Sequence, residues 1–68
     1  MELKPGDIVY NTYSEDYCKI QKVDDDWVFY SYQPDDNKPP YWQCHKGIAL
    51  IKFRKTLQYA IMEATDEI

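Results

Sequence analysis

Trp27-Val28-Phe29-Tyr30-Ser31-Tyr32 decides the fold, because every residue of this stretch except Ser31 is aromatic or β-branched. Such residues pack well on a pleated, half-buried surface, so the stretch predicts a β-strand. Alternation along the strand gives it two faces, one with Val28, Tyr30 and Tyr32 and the other with Trp27, Phe29 and Ser31. A barrel this small buries only one face, so part of the aromatic content is expected to be exposed.

Two further strands are predicted upstream. Asp24-Asp25-Asp26 is an acidic turn that lacks glycine, so we expect it to be longer than a two-residue hairpin loop. Before it, residues 17–23 alternate so that Cys18 and Ile20 share one face of a half-buried strand. Residues 8–13 are rich in β-formers and predict the first strand. Cys18 is therefore expected to be a buried, reduced thiol.

The segments downstream are less regular. Residues 33–40 predict a loop, since three prolines and no apolar residue exclude both a helix and a central strand. Residues 41–44 resume extended structure, and residues 45–48 predict a short irregular or 3₁₀ step. We assign residues 50–53 to a last short strand, and a helix that starts near Ile48 is the competing interpretation.

The end of the chain predicts a helix. Apolar residues recur there at spacings of three and four, at Leu50, Phe53, Leu57, Ala60 and Ala64. Residues 54–64 contain good helix formers and no breaker, so we place the helix over them. Its apolar positions Leu57, Ile61 and Ala64 are expected to face the sheet.

The net charge and the composition of the chain limit the classes of partner and the cellular location that we expect. The net charge is −4 and Arg54 is the only arginine, whereas tight binding of a phosphate backbone rests on clustered Lys and Arg. Nucleic acid is therefore not an expected partner. The first residues lack the apolar segment of a signal peptide, and no stretch approaches about 18 apolar residues. We expect a cytoplasmic protein without a membrane span, with Cys18 and Cys44 reduced.

The start of the chain carries a family resemblance. Leu3-Lys4-Pro5-Gly6-Asp7-Ile8-Val9 resembles the first strand of SH3-like barrels, which often begin with a Pro-Gly-Asp turn before a valine. The aromatic hairpin around Asp24-Asp25-Asp26 is similar to their central hairpin. The step at residues 45–49, before Leu50-Ile51-Lys52-Phe53, resembles their 3₁₀ turn before the closing strand. The resemblance covers about residues 3–53.

This resemblance implies a mostly-β fold, an SH3-like small barrel or curled antiparallel sheet of four to five strands. The periodicity of the tail adds a C-terminal α-helix to it. The chain, residues 1–68, is then one small domain, with the barrel over about 3–53 and the helix over about 54–64. The Ala-Leu-Tyr-Asp-Tyr signature of signalling SH3 domains is absent from Tyr10-Asn11-Thr12-Tyr13, so binding of proline-rich peptides is not implied.

No pattern for catalysis, metal or cofactor binding stands out. By residue type, Cys44 and His45 could serve as a nucleophile and its base. Adjacent strand residues point to opposite faces, however, and no acid is placed to orient the histidine. Cys18, Cys44 and His45 lack the close spacing and the fourth ligand of a structural zinc site. Gly6 and Gly47 are the only glycines, so there is no glycine-rich phosphate loop. We expect neither an enzyme nor a bound metal or cofactor.

The surplus aromatic residues point to binding. Exposed Tyr and Trp offer large contact area at low entropy cost, although Tyr also fits strands simply by keeping its hydroxyl in water. Prolines stiffen the loop at 33–40, and rigid strands hold loops for recognition at the ends of a barrel. The candidate binding residues flank this loop and the first connection: Tyr32, Tyr41, Trp42, Tyr13 and Tyr17. The competing interpretation for Trp42 is a plug that only stabilises the barrel end.

These observations predict a non-enzymatic protein-binding module, and they are compatible with a homo-oligomer. Small size and acidic charge are similar to those of many phage and mobile-element proteins, which implies a small regulatory or inhibitory protein. The alternative is a nucleic-acid-associated domain of the Tudor or KOW kind that stacks bases on aromatic rings. Trp27 and Tyr30 suggest part of a Tudor-type cage, but a full cage does not align.

Overall fold

One curled antiparallel sheet dominates the chain. The structure, a computed structural model, describes residues 2–32 and 38–66, with side chains up to residue 62. Its elements are β1 (Ile8–Asn11), β2 (Asp16–Val23), β3 (Trp27–Tyr32), β4 (Trp42–His45), α1 (Lys46–Lys52), β5 (Phe53–Arg54) and α2 (Leu57–Asp66). The strand order is β4-β3-β2-β1-β5. The predicted fold class, a curled antiparallel sheet with a C-terminal helix, is confirmed.

The sheet curls into a half-barrel that is compatible with a small SH3-like fold. Every pairing in it is antiparallel, and β5 returns to pair with β1. The register between β2 and β3 shifts between Ile20 and Lys22, and such a bulge bends a strand and increases its twist. Gly6, with φ of 94°, provides the left-handed residue that the turn before β1 requires.

The core lies on the concave face of the sheet, under α1. Val28 and Tyr30 are buried there and Tyr32 is half-buried, as the alternation of the deciding stretch predicts. Cys18 and Ile20 are both fully buried on this face, which confirms the predicted face of the second strand. The buried hydrophobic cluster consists of Val9, Cys18, Ile20, Val28, Tyr30, Cys44, Ala49 and Phe53.

The prediction of a strand at residues 50–53 is wrong. The competing interpretation holds, since α1 runs to Lys52 and only Phe53 of this segment is in a strand. The physical reason lies in the first turn of the helix. The Nδ1 of His45 accepts a hydrogen bond from the Gly47 N–H at 3.1 Å and so caps α1. Histidine is not among the residues that signal an N-cap in a sequence.

The C-terminal helix is confirmed, but its start and its orientation differ from the prediction. It begins at Leu57 and not at Arg54, because Arg54 pairs with Tyr10 in the sheet. The Thr56 hydroxyl then accepts a hydrogen bond from the Tyr59 N–H at 3.3 Å, as an N-cap does. In the part of the chain that is described, no helix is long and apolar enough to cross a membrane.

The expectation that Leu57 and Ile61 face the sheet is wrong. Leu57 is 43% exposed and Ile61 is 51% exposed, and Ala64 lies outside the described side chains. The reason is where the helix lies. It meets the sheet at β5, the two-residue strand at its edge, and at the hydroxyl of Tyr17, which accepts a hydrogen bond from the Leu57 N–H at 3.2 Å.

Candidate functional site

All five predicted binding residues lie at one end of the sheet, which we call the aromatic end: Tyr13, Tyr17, Tyr32, Tyr41 and Trp42. The pairing of β2 with β3 brings them there, because Cys18 near the start of β2 lies opposite Tyr32 at the end of β3. Trp42 begins β4 opposite Tyr30, and the turn between β1 and β2 lies at the same end. The sequence alone did not place the two tyrosines of the first connection at this end.

Tyr32 and Trp42 lie in direct contact, as predicted. Their ring centroids are 5.6 Å apart at an interplanar angle of 81°, an edge-to-face arrangement. Trp42 nevertheless remains 56% exposed. An open groove beside it is lined by Pro40, Tyr41, Trp42 and Gln43. The part of the predicted loop that contains Pro34 lies outside the described residues.

Tyr13 stands on a rigid turn. The first strand ends at Asn11, two residues before the predicted end, because the Asn11 side-chain oxygen accepts hydrogen bonds from the N–H groups of Tyr13 (2.9 Å) and Ser14 (3.3 Å). An Asx turn of this kind competes with strand extension. Tyr13 is 65% exposed on this turn, the highest exposure among the large apolar side chains that are described.

Tyr17 has a structural role on the other face. It precedes Cys18, which pairs with Tyr32, so its side chain points away from the concave face that Tyr32 occupies. Its ring packs on Tyr10 with centroids 5.3 Å apart, and its hydroxyl holds the first residue of α2. Tyr17 therefore shares the end of the sheet with the other candidates but not their face.

The ring of Tyr32 is packed between two neighbours. It meets the ring of Tyr30 edge to face, with centroids 5.9 Å apart, in addition to its contact with Trp42. Burial raises the pKa of Tyr32. The rings at the concave side of the aromatic end are thus held by neighbours, which lowers the ordering cost of binding.

Lys52 is a functional candidate that sequence reasoning missed. It is only 8% exposed, and its Nζ donates a hydrogen bond to the Tyr30 hydroxyl at 2.7 Å. The ammonium also lies 4.5 Å from the ring centroid of Tyr30 and 5.3 Å from that of Phe53. Among the described residues, no carboxylate forms an ion pair with it. The available signal was the helical spacing from Ala49 to Lys52, which places both on the buried side of α1.

The two cysteines are buried, as this lysine is. Burial raises the pKa of Cys18 to about 11. Burial also raises the pKa of Cys44, while the charge and hydrogen bonding of Lys52 lower it in part. Both cysteines are free and buried. A thiol becomes a nucleophile as its thiolate, so these environments do not activate either one.

Cys44 and His45 do not come together. Cys44 is buried on the concave face, whereas His45 is exposed on the other, where its ring lies 5.9 Å from that of Trp27, measured between centroids. The Nδ1 of His45 is engaged as the cap of α1. Trp27 and Tyr30 lie on opposite faces for the same reason and form no shared cage. No group of three His, Cys, Asp or Glu side chains in the described residues is placed to hold a metal ion.

Comparison of the chain with protein-family models, with curated proteins and with solved structures finds no match. Its function must therefore be inferred from its residues and their geometry.

Proposed function

We propose that this protein is a non-enzymatic protein-binding module of SH3-like architecture that contacts its partner through the concave side of the aromatic end. The observation that carries the proposal is the pair of Tyr32 and Trp42, packed edge to face at 5.6 Å while Trp42 stays 56% exposed. A ring that is fixed by a neighbour and still exposed gives up little entropy when a partner covers it.

The free edge of β4 supports the same surface. The Lys46 N–H donates a hydrogen bond to the Asp26 carbonyl at 2.9 Å, and alternation then directs the backbone groups of Gln43 away from β3. Within the described ranges, no strand pairs with that side of β4. An extended partner segment fits there, because it satisfies these backbone groups and lays its side chains in the groove beside Trp42.

Other function classes have less support. Burial raises the pKa of both thiols and His45 is engaged as a helix cap, so in the described part of the chain Cys44 and His45 do not pair as a nucleophile and its base. A net charge of −4 disfavours nucleic acid. A small regulatory or inhibitory protein of phage or mobile-element origin, acting in the cytoplasm, is the setting that fits this size, charge and pair of free thiols.

Affinity capture from an extract of the native host tests the proposal. The wild-type protein, Trp42→Ala and Trp27→Ala serve as baits. Trp27 is the matched control, because it is 42% exposed and lies on the opposite face, at the other end of the sheet. We expect the wild type and Trp27→Ala to retain the same protein, and Trp42→Ala to lose it.

Two further treatments separate the partner classes. Nuclease digestion and raised salt are expected to leave the capture unchanged, because an aromatic protein interface does not depend on released counterions. Loss of the captured protein on nuclease digestion would instead favour the nucleic-acid-associated alternative. Equal capture by Trp42→Ala and the wild type would place the binding surface elsewhere.

A further inference from the structure

The outer edge of β4 carries the backbone groups of a paired strand but has no neighbouring strand. The Lys46 N–H donates a hydrogen bond to the Asp26 carbonyl at 2.9 Å. In the same register, Cys44 and Trp42 bond to β3, and Gln43 between them directs its N–H and C=O outwards. Within the described ranges, no strand pairs with this side of β4. An unpaired edge of this kind is a template for another extended chain.

This edge lacks the usual protection against pairing. Proteins protect free strand edges with charged side chains, bulges or a covering element. At the opposite edge of this sheet, β5 has only two residues and α2 lies against it. In contrast, β4 contains no Lys, Arg, Asp or Glu, and its register with β3 is continuous. Pro39 and Pro40 lie just before β4, so they limit the length of a new pairing without preventing it.

We propose that two copies of this chain pair antiparallel through β4, with a two-fold axis at Gln43, so that their sheets become continuous. This register sets the outward N–H and C=O of Gln43 against the same groups of the second copy, and the two residues exchange backbone hydrogen bonds. The exposed side chain at the axis is self-complementary as well, because an amide both donates and accepts. A charged side chain at this position would repel its own copy, whereas glutamine fits one.

The same register covers Trp42. It lies opposite Cys44 of the second copy and on the same face, because directly paired residues of neighbouring strands share a face. The tryptophan of the second copy is its diagonal neighbour, at about 7–8 Å, which aromatic side chains can span. Trp42 is 56% exposed in the single chain, so the dimer removes from water apolar area that the monomer leaves exposed.

The small contact area keeps this dimer weak. The strand β4 has four residues, whereas stable interfaces bury about 800 Å² and roughly 20–30 residues per partner. We therefore expect a dissociation constant on the order of 0.1–1 mM. The dimer covers the surface proposed for the partner, so the two complexes exclude each other. It does not rest on the proposed function, because it is measured on the purified protein alone.

Sedimentation equilibrium of the purified protein over roughly 0.05–2 mM tests the dimer. The mass of the wild type should rise from the 8.2 kDa of the monomer towards twice that value. Gln43→Lys and Gln43→Glu should each weaken the dimer at least about tenfold at low salt, because each sets like charges against each other at the axis. An equimolar mixture of the two variants should associate again, since opposite charges then meet at the axis.

Ile8→Lys is the matched control, because Ile8 is 50% exposed on β1, which two strands separate from β4. It adds the same charge and should dimerise as the wild type does, and circular dichroism confirms that each variant is folded. A wild type that stays monomeric over the whole range overturns the proposal. So does a Gln43→Lys variant that dimerises like the wild type, a mixture that stays monomeric, or an Ile8→Lys variant that loses the dimer as completely as Gln43→Lys.

Discussion

Lys52 places a charge in the core, and its hydrogen bond with Tyr30 offsets part of the cost of burying that charge. The ammonium is 8% exposed and has the Tyr30 hydroxyl as its acceptor at 2.7 Å. Tyr30→Phe removes this acceptor and leaves the charge buried, so we expect a loss of about 2 kcal/mol in the free energy of unfolding. Lys52→Met removes the charge and keeps most of the packed stem, so it should cost less than Tyr30→Phe.

Urea denaturation of the two variants measures the difference. The double variant Tyr30→Phe/Lys52→Met should be more stable than Tyr30→Phe alone, because no charge is then left buried without its acceptor. If Lys52→Met destabilises the protein as much as Tyr30→Phe does, the buried ammonium is not the source of the effect.

We expect Cys18 to make the stability of the protein fall at alkaline pH. Burial raises its pKa from 9.0 to about 11, so the folded state holds the proton more tightly than the unfolded state. The corresponding stability is fully present below pH 9 and is lost as the pH rises through 11. A shift of two units in the pKa of Cys18 corresponds to about 3 kcal/mol in the free energy of unfolding. Burial also raises the pKa values of Cys44 and Tyr30, which act in the same direction.

Unfolding free energies measured at a series of pH values up to 11 test this, with Cys18→Ala as the reference. The stability of Cys18→Ala should fall less over this window than that of the wild type. Thiol titration of the native protein without reductant should find two thiols that react only on unfolding. Loss of both thiols in a monomer would reveal an intramolecular disulfide and contradict the assignment of free cysteines.

Among the secondary-structure elements, α1 depends on a cap that is unusual. His45 accepts a hydrogen bond from the Gly47 N–H at 3.1 Å in the role that Ser, Thr, Asp or Asn normally fills. His45→Ala should therefore cost about 1 kcal/mol, whereas His45→Asn should restore most of it because its side-chain oxygen reaches the same donor. Chemical denaturation measures both. Equal destabilisation by the two substitutions would show that contact with the Trp27 ring, and not capping, is what His45 contributes.

The strands were predictable from local pattern and the helices only in part. Period-two alternation places Cys18, Ile20, Val28 and Tyr30 on the concave face, because a sheet residue's orientation follows from its neighbours in sequence. The helix α1 depends on the His45 side chain and on Arg54, whose Nη1 donates to carbonyls in its last turn at 2.8–3.2 Å. Hydrogen bonds that residues outside a helix make to its ends leave no mark on the hydrophobic periodicity of the sequence.

In the candidate site as well, local features were predictable and long-range contacts were not. The contact between Tyr32 and Trp42 was predictable, because both flank one loop at the end of paired strands. The contact of Tyr17 with α2 was not predictable, because the hydrogen bond from the Leu57 N–H to its hydroxyl joins residues 40 positions apart. Burial of Lys52 also escaped prediction, because its acceptor Tyr30 lies on another strand.

At the scale of the whole molecule, the half-barrel is open and small. The chain measures 39 × 26 × 16 Å with a radius of gyration of 11.8 Å, slightly above the about 11 Å expected for a compact chain of this length. A domain of this size has a net stability of about 3–5 kcal/mol. Each binding variant must therefore be compared with the wild type in melting temperature as well as in affinity.

The affinity of Trp42→Ala for the captured partner, measured together with its melting temperature, tests the central claim most directly. We predict that affinity falls by about 2 kcal/mol or more, roughly 30-fold in dissociation constant, with little change in melting temperature. A plug at the barrel end would instead lose about 3–5 kcal/mol of stability on this substitution, and so small a domain would unfold. Unfolding of Trp42→Ala, or a folded variant with unchanged affinity, would contradict the account.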